Sequence, residues 1–189
     1  MGMQQNAVAP GAVTIRPATD ADVDAVAAIY AHHVLHGRAS FETEPPDVAE
    51  IRRRRRDVVA KGLPYLIAES AARDVLGYAY AGTYRPRAAY ADTVENSVYL
   101  RPDAIGFGIG RGLLAALIAA CEARGLRQMI AVVGDSANEA SIRLHEKLGF
   151  RRVGVLRDVG FKHGVWLDSV LLQRSLGEGS NTPPMRRDG

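Results

Sequence analysis

The feature that most constrains the fold is a glycine-rich turn, GFGIGRG at 106–112, which lies between a run of β-forming residues and an apolar helical segment. Glycine tolerates positive φ, and a turn that leads into a helix N-terminus directs backbone N–H groups at an anion. A dinucleotide fingerprint GxGxxG would need glycine where Arg111 or Leu113 stands, and a P-loop would need GK followed by Ser or Thr. The turn therefore fits either the pyrophosphate of a different cofactor or a plain flexible connection.

Helical and β-rich segments alternate on both sides of this turn. Their order predicts an α/β fold, one twisted sheet flanked by helices, and 189 residues suit a single domain. We expect this domain to span 13–176, with disordered segments at 1–12 and 177–189. Strands are predicted at 13–16, 65–69, 75–82, 93–100, 129–133, 151–161 and 165–176, and helices from about residue 19, at 47–61, 109–123 and 138–148, with a short helix plus loop at 32–46.

Composition excludes several classes of protein. No run reaches the roughly 18 apolar residues of a membrane helix. Cys121 is the single cysteine and His32, His33 and His36 have no third ligand at a suitable spacing, so we expect a cytoplasmic protein without a metal. The net charge of +3 would suit nucleic acid, but the arginine run 52–56 is typical of a solvated helix face. We therefore expect neither nucleic acid nor a membrane as a partner.

Several motifs in sequence order resemble one enzyme superfamily. SVYL, GFGIGRGLL and NEASIRLHEKLGFRRVG are similar to the GNAT superfamily of acetyl-CoA-dependent N-acetyltransferases. SFETEP, GYAYAG, AYADTVENSVYL, LHEKLGF and FKHGVWLD resemble its phosphinothricin and methionine sulfoximine N-acetyltransferase branch, and the similarity runs from about Ile15 to Leu176. The resemblance implies the GNAT fold, with a mixed, mostly antiparallel sheet, and acetyl-CoA as co-substrate.

The resemblance also assigns a cofactor site. The turn would wrap the pyrophosphate, β-strand backbone would bind the pantetheine arm and thioester, and a polar helix face would contact the pantetheine and thiol. The superfamily usually has Gln or Arg where this chain has Ile105, which removes one side-chain contact to phosphate while backbone donors and the helix dipole remain. The implied acetyl-CoA residues are Val98, Tyr99, Leu100, Gly106, Phe107, Gly108, Ile109, Gly110, Arg111, Asn138 and Ser141.

Two residues are candidates for proton transfer. An alkyl ammonium must lose a proton before it attacks a thioester, because its pKa is near ~10. The resemblance implies that Glu95 removes this proton and that His145, where the superfamily often has Tyr, protonates the thiolate. Taken alone, Glu95 could equally be a solvent-facing strand residue and His145 a hydrogen-bonded structural histidine.

The resemblance implies that Arg85, Arg87 and Tyr90 face the anionic groups of the acceptor. Arginine donates two parallel hydrogen bonds to a carboxylate or a phosphinate-like group. Two arginines in an exposed loop are otherwise unremarkable, and Ala91 or Asp92 replaces an aromatic residue of the branch, which changes the pocket shape.

These observations predict acetylation of the α-amine of a small amino-acid-like acceptor, by direct attack in a ternary complex. Alternatives are another amine, such as an aminoglycoside, polyamine or protein N-terminus, or a CoA-binding regulator without catalysis. The resemblance also implies a homodimer.

Overall fold

The fold is built on a seven-stranded sheet, and successive side chains along its strands point to opposite faces. The computed structural model describes residues 11–184. Its strands are β1 (Val13–Pro17), β2 (Tyr65–Ser70), β3 (Val75–Thr83), β4 (Thr93–Leu100), β5 (Gln128–Gly134), β6 (Arg151–Lys162) and β7 (Val165–Ser175), and its helices are α1 (Val23–His36), α2 (Val48–Ala60), α3 (Ile109–Glu122) and α4 (Glu139–Lys147).

The strand order is β1-β2-β3-β4-β5-β7-β6, and every neighbouring pair is antiparallel except β4 and β5. This confirms the predicted mixed, mostly antiparallel sheet. The β6–β7 hairpin closes at His163 and Gly164, both at positive φ, as tight hairpin turns favour.

Two hydrophobic cores lie on opposite faces of the sheet. On β2, Leu66 and Ala68 face α3, whereas Tyr65 and Ile67 pack in the other core with α1 and α2. Leu113, Leu114 and Leu117 of α3 are fully buried in the first core. Because α3 is fixed in this way, the glycine turn in front of it is fixed as well.

The sequence prediction differs from the structure after the first helix. A short helix plus loop was expected for 32–46, but α1 continues unbroken to His36 because Val34 is fully buried in the second core. The loop 37–47 then crosses to α2, whose first turn is capped by Asp47 accepting from the backbone N–H of Glu50.

The ends of the chain are described in part. The expected disorder at 1–12 falls mostly on residues 1–10, which lie outside the described residues, as do 185–189. Residues 177–180 form a turn and 181–182 a bend, and Arg127 donates hydrogen bonds to the side chain of Thr182 and the carbonyl of Pro183.

Candidate active site

The parallel strands β4 and β5 separate halfway along the sheet. They pair from Thr93 with Gln128 to Asn96 with Ala131. Residues 97–100 of β4 then pair with β3 alone, and residues 132–134 of β5 pair with β7 alone. The opening exposes a row of β4 backbone N–H and C=O groups that carry no sheet hydrogen bonds on this side.

A cavity of about 540 Å³, here the glycine-turn cavity, lies beside this opening. All the predicted acetyl-CoA residues line it except Phe107, which is exposed outside it. Gly106 and Gly108 have φ of 94° and 78°, and nothing lies within 4 Å of a Cβ built at either position. A ligand can therefore approach the turn closely.

Three cationic side chains line the same cavity, Arg111, Arg143 and Lys147. Of these, only Arg111 was predicted from the sequence. Arg143 and Lys147 lie on α4 near LHEKLGF, and the placement of α4 beside the turn is what brings them to the cavity. Gly108 is the N-cap of α3, so the first N–H groups of this helix are available to an anion. The donor set fits a polyphosphate.

A second cavity of about 530 Å³ contains Glu95 and is here called the carboxylate cavity. It shares the lining residues Ala39, Val98, Tyr99, Asn138 and Ser141 with the glycine-turn cavity, so the two cavities meet at the opening between β4 and β5. A thioester held along β4 would thus face the side chains of the carboxylate cavity.

Glu95 is half-buried on β4. Desolvation by burial raises the pKa of this carboxyl above its usual value, since the charged form is less well solvated there. A carboxylate with a raised pKa is a better proton acceptor at neutral pH than an exposed one.

His145 is 4% exposed and lies between two oxygen atoms. Its Nδ1 is 2.8 Å from the carbonyl oxygen of Ser141, and its Nε2 is 2.9 Å from Oδ1 of Asn96. The edge of the Phe150 ring contacts the imidazole, with 5.0 Å between ring centroids. Burial lowers the pKa of His145, while the hydrogen bond to Ser141 opposes this change.

The predicted acceptor residues lie apart from Glu95. Arg85, Arg87 and Tyr90 line a separate cavity of about 430 Å³ on the loop between β3 and β4, and none of them lines the carboxylate cavity. The guanidinium of Arg85 is 5.2 Å from the centroid of the Tyr84 ring and 6.0 Å from that of Tyr90. These contacts hold Arg85 in place.

The loop between α1 and α2 forms one wall of the carboxylate cavity, through Ser40, Phe41 and Glu42. The hydroxyl of Tyr30 lies 2.9 Å from both Ser40 Oγ and Glu42 Oε1. Arg54 of α2 donates to Glu42 at 2.6 Å. The sequence predicted no role for these residues, because the motif SFETEP does not indicate which way its side chains face.

The ring of Phe41 packs this loop against the sheet. A Cβ on Gly160 would lie 2.6 Å from Phe41 Cε2, and a Cβ on Gly134 would lie 2.9 Å from Cε1. Buried Lys162 donates from Nζ to the carbonyl of Ser40 at 2.7 Å. The loop is thus held from β5, from β6 and from both helices.

Within residues 11–184, no helix is both long and apolar enough to span a membrane. Among the same residues, no group of three or more His, Cys, Asp or Glu side chains is arranged to hold a metal ion.

Known proteins are similar to this chain in sequence and in architecture. Residues 15–171 match the acetyltransferase (GNAT) domain family. The chain is 56% identical over 173 residues to a phosphinothricin N-acetyltransferase of Alcaligenes faecalis (92% of this chain, 87% of the relative). It is 41% identical over 170 residues to an L-methionine sulfoximine/L-methionine sulfone acetyltransferase of Pseudomonas aeruginosa (90% of this chain, 98% of the relative).

Solved structures agree with the sequence relatives. A GNAT superfamily phosphinothricin acetyltransferase of Sinorhizobium meliloti, in complex with acetyl-CoA, superposes with a TM-score of 0.90 at 45% identity, covering 92% of this chain and 94% of that chain. An acetyltransferase of Salmonella typhimurium with its cofactor acetyl-CoA gives 0.87 at 37% identity, covering 93% and 100%. The chain therefore belongs to the GNAT family of acetyltransferases.

Proposed function

We propose that the protein uses acetyl-CoA to acetylate the α-amine of a small amino-acid-like acceptor of the phosphinothricin or methionine sulfoximine and sulfone type. The observation that carries the proposal is the junction of two cavities at the β4–β5 opening, one lined by the glycine turn and the other by Glu95. We propose direct attack in a ternary complex, and the shared lining of the two cavities supports this because both substrates could be held at once. Cys121, the single cysteine, is buried in α3 and supplies no nucleophile to either cavity.

Acetyl-CoA would supply the activated acetyl group, and the glycine-turn cavity would hold it. The first N–H groups of α3, together with Arg111, Arg143 and Lys147, offer positive charge to the phosphates. Residues 98 and 99 lie beyond the last β4–β5 pair and offer backbone groups to the pantetheine arm, whereas the carbonyl oxygen of Leu100 is already 2.7 Å from Nε2 of His33. Ile105 lines the cavity with an apolar side chain and adds no phosphate contact.

Glu95 would act as the general base. It lines the carboxylate cavity, and its raised pKa favours proton uptake from the amine or from a water between them. His145, which lines the same cavity, would carry a proton toward the sulfur of CoA. Burial lowers the pKa of its ring, which makes the charged ring a stronger proton donor.

Arg85, Arg87 and Tyr90 would recognise the anionic group of the acceptor. Their loop leads directly into β4, only a few residues before Glu95. Cation–π contacts hold Arg85 against two tyrosine rings, which orders the guanidinium before a ligand binds.

One observation favours a second candidate, a more cationic acceptor such as a polyamine, an aminoglycoside or a protein N-terminus. The carboxylate cavity is lined by Glu42 and Glu95, and no Arg or Lys of the described residues lines it. Two carboxylates would attract an acceptor with several amines, although Glu42 is already paired with Arg54.

We further propose that the protein works in the cytoplasm as a homodimer. A group of exposed apolar side chains lies on the β6–β7 hairpin, here the hairpin patch, and an exposed patch of this kind is typical of an interface. Its members are Val153, Leu156, Val159, Phe161 and Trp166.

Thiol release from acetyl-CoA across a panel of amines tests the function. The panel contains phosphinothricin, methionine sulfoximine, methionine sulfone, spermidine, kanamycin and a peptide N-terminus. Turnover confined to the three amino-acid analogues supports the proposal. Turnover only on the cationic amines selects the second candidate, and acetyl-CoA binding without turnover on any amine would contradict both.

A further inference from the structure

The side chain of Asn96 bridges the two strands at the point where they separate. It is 6% exposed and belongs to the last β4–β5 pair, opposite Ala131. Its Nδ2 donates to the carbonyl of Ile130 on β5 at 3.1 Å, and its Oδ1 lies 2.9 Å from Nε2 of His145 on α4. One amide therefore connects β4, β5 and α4 beside the opening.

The orientation of this amide is fixed by its partners. The carbonyl of Ile130 can only accept a hydrogen bond, so the NH₂ group of Asn96 must face it. Turning the amide over would set two acceptor oxygens against each other. The oxygen of Asn96 consequently has to face His145.

His145 thus has an acceptor oxygen opposite each ring nitrogen. A neutral imidazole carries one N–H, so one lone pair would face either the carbonyl of Ser141 or Oδ1 of Asn96. The doubly protonated ring donates to both. His145 also lies in the last turn of α4, where the helix dipole favours a positive charge.

Burial acts in the opposite direction and disfavours the charged ring. From α4 the ring meets the Ser141 carbonyl, from β4 it meets Asn96, and ahead of β6 it meets Phe150. The causes of its pKa shift are burial and the hydrogen bond to Ser141, and no charged side chain of the described residues is among them. Two carboxylates, Glu42 and Glu95, line the same cavity as His145. The stability of the charged ring therefore depends on the hydrogen bonds that it donates to the two oxygens.

We propose that Asn96 is a positioning residue for acetyl transfer, which holds the ring of His145 beside the β4–β5 opening and stabilises its doubly protonated form. The proton concerned leaves the amine nitrogen and ends on the sulfur of CoA, so that the ring is neutral again after each turnover. This inference rests on the proposed function for the identity of that proton, and on the described contacts for the coupling between Asn96 and His145.

The test is a titration of His145 by NMR in protein with ¹⁵N-labelled histidine, with the resonance assigned by its loss in His145→Gln. Asn96→Asp keeps an oxygen opposite Nε2 and adds charge, so the pKa of His145 should rise above the wild-type value. Asn96→Leu has a similar volume and no acceptor, so the pKa should fall below it. Asn181→Asp makes the same chemical change at an exposed site and should leave the titration unchanged.

Kinetics supply the second readout. In Asn96→Leu we expect kcat to fall about tenfold or more, as for a lost contribution to acid–base catalysis. The Kd of acetyl-CoA, measured by calorimetry, should stay within about threefold of wild type. Asn96→Ser, which restores a small polar group, should recover part of kcat, and it replaces the leucine variant if that variant does not fold.

A His145 pKa that is the same in wild type, Asn96→Asp and Asn96→Leu would overturn the inference. So would a parallel loss of kcat, acetyl-CoA affinity and melting temperature, since a purely structural role predicts it. The titration needs no acceptor and no turnover. An inactive amine panel therefore counts against the proposed function alone, and an unmoved pKa counts against Asn96 alone.

Discussion

Glu95 owes its chemical character to its position on β4. The same carboxylate on an exposed strand would be an ordinary surface charge, and the sequence left that reading open. Placement in the wall of a cavity removes water from it and raises its pKa. The residue type was predictable from a motif, whereas the burial came from the elements packed around it.

Replacing Glu95 by Gln should lower kcat by about 100-fold or more, the usual size of a general-base contribution, with little change in the Kd of acetyl-CoA. In wild type, kcat/KM should fall as pH drops through the pKa of Glu95, because the base must be deprotonated. Since burial raises that pKa, the acid limb should lie above the value of an exposed glutamate. Steady-state kinetics from pH 4 to 9 measure both effects.

Glu178→Gln is the control for this change, since Glu178 is exposed near the C-terminal end of the described chain. It should retain wild-type kcat and the wild-type pH profile. A Glu95→Gln enzyme with normal kcat would remove Glu95 from the mechanism.

Gly108 provides a second test at the scale of one residue. Alanine there must adopt a φ near 78°, which costs about 1–2 kcal/mol for a residue with a Cβ, and its methyl group would stand where a phosphate approaches the turn. We expect Gly108→Ala to weaken acetyl-CoA binding about tenfold in calorimetry.

Gly62 is a matched control at the end of α2. Its φ is 68° and, as at Gly108, nothing lies within 4 Å of a built Cβ. Gly62→Ala should lose a similar amount of stability in denaturant unfolding and keep full acetyl-CoA affinity. Equal affinities in the two variants would argue against the glycine turn as the phosphate site.

At the scale of elements, the loop between α1 and α2 depends on contacts that are distant in sequence. Phe41 rests on Gly134 and Gly160, and Ser40 accepts from Lys162, more than a hundred residues away. Strands and most helix bounds followed from periodicity and glycine placement, because those signals are local. The loop wall of the carboxylate cavity had no such local signal.

Adding a methyl group at Gly160 should displace this loop. A Cβ there would lie 2.6 Å from the ring of Phe41, so the ring must move and the cavity wall with it. We expect Gly160→Ala to raise the KM of the acceptor about tenfold, a typical result of misplacing a binding wall, with unchanged acetyl-CoA affinity.

Gly154 lies on the same strand, and a Cβ there would meet nothing within 4 Å. Gly154→Ala should therefore behave as wild type in the same steady-state assays. An acceptor KM that does not change in Gly160→Ala would show that the Phe41 wall has no part in acceptor binding.

At the scale of the whole molecule, the hairpin patch bears on assembly, because the chain by itself leaves these apolar side chains exposed. Phe161 and Trp166 face each other across β6 and β7 and are 58% and 63% exposed. If they form the dimer contact, light scattering should give twice the chain mass of 20.4 kDa for wild type.

Changing both Phe161 and Trp166 to Asp should reduce the mass to that of one chain, because burying two carboxylates opposes association. Val59→Asp places one carboxylate at another exposed apolar site, on α2, and should leave the mass unchanged. A wild-type mass of one chain would refute the dimer.

The sequence by itself determined the order of elements, the glycine turn and the membership of the family, because these depend on local periodicity and on contiguous motifs. Residues 98–100 and 106–111 could be predicted as one site for the same reason, since each group is continuous in the chain, and all of them but one line the same cavity. Phe107 is the exception, since its side chain is exposed and does not line the cavity.

Tertiary structure decided everything that requires distant segments to meet. It brought Arg143 and Lys147 to the glycine turn, placed Arg85 and Arg87 outside the carboxylate cavity, and set Asn96 against His145. The separation of β4 from β5 is the underlying cause, because it depends on which neighbour each strand pairs with beyond Asn96. Strand pairing is a property of the folded sheet, and a pattern within either strand carries no record of it.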